Sequence, residues 1–168
     1  VAQGQEVQVD TAQRGDSIIG QQVQDIQVNG QSPLFFLRLI PGVYSNANLA
    51  ESSQSYPAAY INGSRADSMH VTVNGATNQD TGANNGWMAT TNLDTVQEVT
   101  VLTSNFQPQY GRASGAQISI VTKSGTSDFH GSAFEYFRDK GLNANSWTNN
   151  RTGLPKADYH YNDFGFTF

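Results

Sequence analysis

The last ten residues of the chain alternate so strictly between two kinds of side chain that few structures other than a β-strand fit them. One face would carry three aromatic rings and the other would carry small or polar side chains, in the order Asp163, Phe164, Gly165, Phe166, Thr167, Phe168. A run of similar length precedes it at residues 129–138. Membrane-crossing barrel strands need about 9–11 residues with this alternation, but a sheet with one buried face shows the same pattern. Two long antiparallel strands are therefore predicted, and the pattern alone leaves open what covers the aromatic face.

The first 125 residues mix short helical and strand patterns, which predicts one compact α/β unit of the α+β kind. One short helix is expected to begin at Ser17, capped by Asp16 and stopped by Asn29-Gly30; a second is expected to begin at Pro33. Their Ile/Val and Leu/Phe stripes should pack on a sheet. Strands are expected near residues 6–10, 59–62, 69–74, 98–103 and 117–123, with 59–62 and 69–74 flanking a turn. A helical turn is expected near Leu93, and polar loops at 44–58, 76–91 and 139–157.

Composition excludes several functional classes. Only 14% of the 168 residues are charged, and the net charge of −5 is spread without a basic stripe, so the chain lacks the electrostatic pattern of a nucleic-acid-binding protein. It contains no cysteine, which rules out disulfides, thiolate metal sites and a cysteine nucleophile. No segment approaches the roughly 20 apolar residues of a membrane helix. Because the chain begins at Val1 and not at Met, we expect a processed product or part of a larger protein.

The residues that carry chemistry do not assemble into a recognisable catalytic or metal-binding motif. His70, His130 and His160 are far apart in the chain, and none forms a metal-ligand pair with a nearby carboxylate. The segment 110–115 contains two glycines but lacks the Lys-Ser/Thr pair of a phosphate-binding loop, so it is interpreted as a bend between strands. The segment 78–86 lacks the closing Glu of a calcium loop. No catalytic residue, cofactor or metal is predicted, and the chain is predicted not to be an enzyme.

Several blocks of the sequence, taken in order and spacing, resemble the Oar-like family of TonB-dependent outer-membrane receptors. The resemblance extends over nearly the whole chain and does not depend on any single motif. The blocks are Val28–Gln31, Leu39–Val43, Leu93–Phe106, Gln109–Gly115, Ile120–Thr126, Phe129–Arg138, Leu142–Trp147 and Asn162–Gly165.

This resemblance implies a fold, a location and partners. Residues 1–125 would be a small mixed-sheet plug domain with two short helices, and residues 126–168 would be two long antiparallel β-strands of barrel type. Such plugs sit inside a barrel of about 22 strands in the bacterial outer membrane. Members of the family take up large or scarce nutrients with energy delivered by TonB. The implied partners are therefore the rest of the barrel and TonB, and no nucleic acid.

Three departures from the family pattern favour keeping a second hypothesis. Most of a barrel is missing after Phe168, a TonB-contacting segment is not recognisable in Val1–Asp10, and the turn expected as Asp-Gly reads Asn74-Gly75. If the chain ends near residue 168, its strand edges need cover from copies of itself. The alternative is therefore a self-assembling cell-surface or extracellular protein, a fibre or oligomer built by strand pairing between copies.

Both hypotheses predict a set of contact residues. In a plug, Arg112 would pair with acidic groups of the barrel wall. Trp147 and the aromatic residues of the two strands suit either an aromatic girdle at a membrane interface or a protein–protein contact. The predicted plug–barrel or subunit contacts are Tyr110, Arg112, Phe134, Tyr136, Trp147, Phe164, Phe166 and Phe168.

Overall fold

The computed structural model describes residues 12–26, 32–45, 59–65, 68–80, 82, 88–89, 91–111 and 113–168. The chain divides into two compact units, one that ends at Ser124 and one that runs Gly125–Phe168. The predicted strand at residues 6–10 and the predicted helix stop at Asn29-Gly30 lie outside the described residues.

The first unit is built on a mixed five-stranded sheet with strand order β1-β6-β7-β4-β5. Strand β4 runs parallel to β7, and the other neighbouring strands are antiparallel. Strands β2 and β3 pair with each other in a separate small sheet. The predicted mixed α/β fold is thereby confirmed. The strands are β1 Arg14–Ile19, β2 Val43–Ser45, β3 Ala59–Ile61, β4 Met69–Val73, β5 Ala76–Thr77, β6 Val96–Ser104 and β7 Ala116–Thr122.

One face of the large sheet forms the hydrophobic core. Every second residue of its central strands is buried there, as the period of a strand requires: Met69, Val71, Val99, Val101, Ala116, Ile118 and Ile120. Two short helices supply the other side of the core. Helix α1 (Gly20–Asp25) buries Val23, and the 3-10 helix Pro33–Leu39 buries Leu34, Phe36 and Leu37. The second predicted helix, with proline in its first turn, is thus confirmed.

The first predicted helix was placed too early. Residues 14–19 form strand β1, in which Ser17 pairs with Thr100 and Asp16 is a strand residue, not a helix cap. Helix α1 begins only at Gly20 and has no side-chain cap. The apolar pair Ile18-Ile19 suggested a helix, but β6 offers these residues a complete antiparallel partner. Ile18 is buried and Ile19 is exposed, which is the alternation of a strand.

Two predicted strands of the first unit, 59–62 and 69–74, exist but do not pair with each other. Strand β3 pairs with β2, whose last residues fall in a predicted loop, and β4 turns back into β5, in another predicted loop. The β4–β5 turn is Asn74-Gly75, with φ of 50° and 81°. Two positive φ values define the tight hairpin turn that Asn-Gly favours. The helical turn expected near Leu93 is present as Leu93–Thr95.

The second unit contains a single antiparallel hairpin. Strand β8 (Ser132–Asp139) pairs along its whole length with β9 (His160–Thr167), and each has eight residues. The two predicted strands are therefore present but slightly shorter than predicted. The connection predicted as a polar loop contains a 3-10 turn, Lys140–Leu142, and a one-and-a-half-turn helix α2, Trp147–Thr152.

Candidate functional surfaces

The face of the large sheet opposite the core carries a row of hydroxyl side chains that crosses all five strands, which we call the hydroxyl row. Strand register places Ser17 opposite Thr100, Thr100 opposite Ser119, Ser119 opposite Thr72, and Thr72 opposite Thr77. Directly opposed residues project to the same face of a sheet. All five are exposed or half-buried. The sheet thus has one apolar face and one mainly polar face, on which the apolar side chains Ile19 and Val121 are also exposed.

The carboxylate of Glu98 lies on this polar face, at its β1–β6 side. Ser17 and Thr100 lie 2.8 Å apart through their hydroxyl oxygens. Both hydroxyls also lie within hydrogen-bond distance of Glu98 Oε1, at 3.0 and 2.8 Å. The negative charge is therefore held by hydroxyl donors of neighbouring strands.

A buried histidine lies beside the hydroxyl row. His70 Nδ1 is 3.0 Å from Gln117 Oε1, and His70 Nε2 is 3.2 Å from Thr77 Oγ1. An amide oxygen only accepts, so Nδ1 donates to Gln117, and Nε2 shares a hydrogen bond with the Thr77 hydroxyl. Both ring nitrogens are thus used in joining β4 to β7 and β5. This arrangement is structural, and it leaves neither nitrogen available as a metal ligand.

A buried amide ties the segment after β5 to residue 89. Asn78 Nδ2 donates to the Ala89 carbonyl at 2.8 Å, and the Ala89 N–H donates to Asn78 Oδ1 at 2.9 Å. The Asn78 backbone N–H is itself bonded to the Val71 carbonyl at 2.9 Å. Next to it, Gln79 Nε2 donates to the Met69 carbonyl at 3.0 Å. Buried side-chain amides thus tie Ala89 to Asn78, and Gln79 to strand β4.

An open polar cleft of about 630 Å³ lies at one end of the first unit. The start of β1, Pro41-Gly42, Asn62 and the end of β6 line it. Asn62 Nδ2 donates to the Thr103 carbonyl at 3.1 Å, and the Thr103 hydroxyl donates to the Arg14 carbonyl at 3.2 Å. These two hydrogen bonds connect Asn62, the end of β6 and the start of β1 along the cleft wall.

In the second unit, one side of the hairpin forms a connected network that we call the tyrosine–arginine face: Phe134, Tyr136, Arg138, Tyr161, Asp163. The Arg138 guanidinium lies 4.4 Å from the centre of the Tyr161 ring, and the Tyr161 hydroxyl donates to Asp163 at 3.2 Å. Phe134 and Tyr136 lie 5.5 Å apart by ring centres. The Phe134 ring covers Gly165, where an added Cβ would meet the ring at 2.5 Å. Glycine is required there because the ring occupies the space of a side chain.

The other side of the hairpin, the phenylalanine face, carries Phe164, Phe166 and Phe168. Their exposed fractions are 75%, 81% and 91%. Phe164 lies opposite Glu135 in the register, and Phe166 lies opposite Ala133. The predicted contact residues of the two strands therefore divide between opposite faces: Phe134 and Tyr136 lie on one, and the three phenylalanines lie on the other. One surface cannot contact all of them at once.

The connection between β8 and β9 is a folded loop with many internal hydrogen bonds. The Ser146 hydroxyl caps α2 by accepting from the Asn149 N–H at 3.2 Å. Lys156 Nζ donates to the carbonyls of Lys140 and Asn143, at 2.7 and 2.5 Å. Trp147, the predicted contact residue, starts α2 and is 72% exposed, with the Arg151 guanidinium 5.2 Å from its ring. The loop thus presents Trp147 from a defined backbone.

An ion pair between Lys140 and Asp158 joins the two ends of this loop, with Nζ 2.9 Å from Oδ1. The hydrogen bond to Asp158, and then its charge, raise the pKa of Lys140 above its ordinary value.

We expect Asp158→Asn to lower the pKa of Lys140, as measured by the pH dependence of its side-chain NMR signals. Because exposed pairs contribute little, the melting temperature should hardly change. Asp128→Asn, which removes a charge outside the loop, should leave the pKa of Lys140 in place, and an unchanged pKa in Asp158→Asn would contradict the pairing.

The remaining predicted site residues do not form a catalytic arrangement. Tyr110 is half-buried in a turn and donates its N–H to the Gln107 carbonyl at 3.0 Å, while Arg112 lies outside the described residues. His130 and His160 have their own neighbours, Thr126 at 3.3 Å and Asp139 at 3.4 Å. Within the described part of the chain, no three His, Asp or Glu side chains are grouped as metal ligands. The helices described there are all too short or too polar to cross a membrane.

The hydroxyl row was not predicted, although the sequence contains a signal for it. Thr72, Thr100 and Ser119 each stand between two β-branched apolar residues, in Val-Thr-Val, Val-Thr-Val and Ile-Ser-Ile. Each triplet indicates a strand with one apolar and one hydroxyl face. That the three hydroxyls share one row depends on strand register, which the sequence does not contain.

Comparison with known protein families matches both units. Residues 7–116 match the family model described as TonB-dependent Receptor Plug Domain. Residues 121–168 match the model described as Outer membrane beta barrel domain. The two matches together extend over most of the chain and follow the order plug, then barrel.

Individual proteins give a consistent result. The chain is 31% identical over 83 residues to the TonB-dependent transporter Oar of Myxococcus xanthus. This match covers 43% of this chain and 8% of that protein. It is similar in fold to a mutant of the ferric enterobactin receptor of Pseudomonas aeruginosa, solved in complex with enterobactin. The TM-score is 0.53 at 18% identity, over 77% of this chain and 20% of that chain. The chain thus spans a small part of the length of both proteins. None of these comparisons supports the self-assembling alternative.

Proposed function

This chain belongs to the family of TonB-dependent receptor plug domains of the bacterial outer membrane, and from that premise we propose that its first unit closes the lumen of a barrel that begins with its second. The barrel and TonB would be its partners, and uptake of a scarce nutrient would be the activity of the whole receptor. The family consists of receptors and transporters, and we infer a non-enzymatic role for this chain as well.

The polar face of the sheet is the observation that carries this proposal. A plug has to fit against a wall that is hydrated, and it has to remain separable from that wall. Neutral hydroxyls exchange hydrogen bonds with water or with a partner at little cost, and water-bridged contacts are common at such interfaces. The hydroxyl row places five of them across the full width of the sheet. Four of them, Ser17, Thr72, Thr77 and Thr100, also bond within the unit, and their oxygens can still accept from water or from a partner. An apolar face would instead form a permanent contact.

The loop between β8 and β9 fits the same arrangement. Barrels of the outer membrane have short turns on the periplasmic side and longer loops outside. The connection from Lys140 to Tyr159 is long and internally folded. We therefore assign this loop, with Trp147 at its surface, to the outer side of the membrane, where ligands arrive.

Channel conductance tests the proposed plug function without knowledge of the substrate. The natural gene is expressed intact and with residues 12–124 deleted, and each purified protein is added to a planar lipid bilayer. The intact protein should give no stable conductance steps. The deletion variant should give large steps, because a barrel of about 22 strands without its plug contains a water-filled channel. Trp147→Ala, which alters the outer loop alone, serves as the control and should stay closed. Equal conductance of the intact and deleted proteins would overturn the proposal.

A further inference from the structure

We propose that the phenylalanine face of the hairpin contacts the acyl chains of the outer membrane and that the tyrosine–arginine face points into the barrel lumen. This assignment rests on the proposed function, because it presumes that β8 and β9 are wall strands. In a barrel wall, alternate residues of each strand face lipid and lumen. The register of the hairpin is continuous from Ser132 to Asp139. Once one residue is known to face lipid or lumen, the direction of every other residue of both strands therefore follows.

The apolar character of the phenylalanine face favours lipid. Phe164 and Phe166 project from β9 and Phe168 directly follows it, with Ala133 and Phe137 on the same face of β8. Phe129, which precedes β8, extends this surface: its ring is stacked on that of Phe168, with centres 6.1 Å apart and planes 13° apart. The result is a surface rich in exposed aromatic rings along the hairpin, interrupted by Glu135 and Asn162, with the stacked rings at its end. Rings at the edge of an apolar band are typical of the interfaces of barrel proteins.

The polar character of the opposite face favours the lumen. Arg138 and Asp163 lie there, connected through the Tyr161 ring and hydroxyl. At the other end of this face, the hydroxyls of Ser132 and Thr167 are 2.7 Å apart. These side chains form the kind of polar surface that lines a water-filled interior.

The charged side chains of the two faces differ: the phenylalanine face carries Glu135 near its middle and Asp139 with His160 at its loop end, and the tyrosine–arginine face carries Asp163 and Arg138. Glu135 lies among the phenylalanines, opposite Phe164, and Asp163 lies among the tyrosines, opposite Tyr136. The phenylalanine face thus carries two acidic residues and the opposite face one, so the acidic residues by themselves do not favour lipid on the phenylalanine side. Only the tyrosine–arginine face also carries an arginine, Arg138, and Arg or Lys on a lipid-facing position is more costly than Asp or Glu. Because an arginine facing lipid costs more than a glutamate, we place Arg138 in the lumen and Glu135 on the lipid side.

The chain contains no cysteine, so single-cysteine spin labelling tests the orientation directly once any cysteine encoded elsewhere in the natural gene is replaced by serine. The natural gene is changed at one position at a time, and the purified protein is reconstituted into phosphatidylcholine vesicles. Phe164→Cys and Phe166→Cys report on the phenylalanine face, and Tyr136→Cys and Thr167→Cys report on the opposite face. Since Phe164 and Phe166 are largely exposed, their replacement should not disturb folding. Collision rates with oxygen, which dissolves in lipid, and with a water-soluble nickel complex are measured by electron paramagnetic resonance.

We expect labels at positions 164 and 166 to collide several-fold more with oxygen than with the nickel complex, and labels at 136 and 167 to show no such preference. The reverse pattern would overturn the orientation and leave the proposed barrel function intact, because the hairpin would still cross the membrane. Nickel accessibility at all four positions would overturn both, since the hairpin would then lie in water.

Discussion

Phe36→Ala is expected to lower the free energy of unfolding by about 3–5 kcal/mol, the usual cost of removing a large aromatic side chain from a closed core. Phe36 is fully buried and belongs to the core cluster between the 3-10 helix and the large sheet. Its replacement leaves a cavity lined by strands that are tied together by their hydrogen bonds and cannot close it. A loss of this size is a large fraction of the stability of a small domain.

The loss can be measured by urea unfolding of the 168-residue chain, followed through amide exchange in β6 and β7, whose buried residues belong to the same core cluster. Leu39→Ala is the matched control, because Leu39 lies in the same helix but is 51% exposed. It should change the free energy of unfolding by no more than about 0.5 kcal/mol. Similar losses in both variants would mean that the helix is not seated on the sheet through Phe36.

Asn78→Asp is expected to destabilise the chain by about 3 kcal/mol at pH 7, because it buries an unpaired charge. Asn78 is 6% exposed, and its Nδ2 donates to the Ala89 carbonyl at 2.8 Å. An ionised Asp cannot donate, so two oxygens would face each other at this distance. A protonated Asp can donate, and it would restore the bond.

The effect of Asn78→Asp should therefore depend on pH in a definite direction. Burial beside a carbonyl raises the pKa of the new carboxyl above its unfolded value of about 3.9. A raised pKa means that stability is retained below the unfolded pKa and lost as the pH rises through the folded pKa. The loss of stability relative to the unmodified chain should therefore shrink between pH 7 and pH 4. The protection factor of the Ala89 amide, which removes the intrinsic pH dependence of exchange, should recover with it.

Asn92→Asp provides the control for this substitution. The Asn92 side chain only accepts, from the Asp94 N–H at 2.8 Å, and Asp accepts equally well at a helix N-cap. Asn92→Asp should leave the free energy of unfolding nearly unchanged at both pH 7 and pH 4. A loss in Asn78→Asp that does not diminish at low pH would contradict the role of the Asn78–Ala89 pair.

The sequence determined those elements whose cause is local. Pro33 and the apolar residues after it predicted a short helix, Asn74-Gly75 has the composition of a tight hairpin turn, and the alternation around Phe164 predicted a strand. In each case the backbone conformation follows from the residues themselves or from a period of two. Together with the order of the sequence blocks, these local signals indicate a plug followed by barrel strands.

Only the tertiary structure decided the features that depend on which strands are neighbours. Ser17 suggested a helix start, and it is a strand residue because β6 pairs with it. Thr72, Thr100 and Ser119 are distant in the chain, and register alone aligns them in the hydroxyl row. The period of two within a strand indicates which of its residues share a face. The partner, its direction and its offset are set by the packing of the whole core, and a shift of one residue would turn every hydroxyl inward.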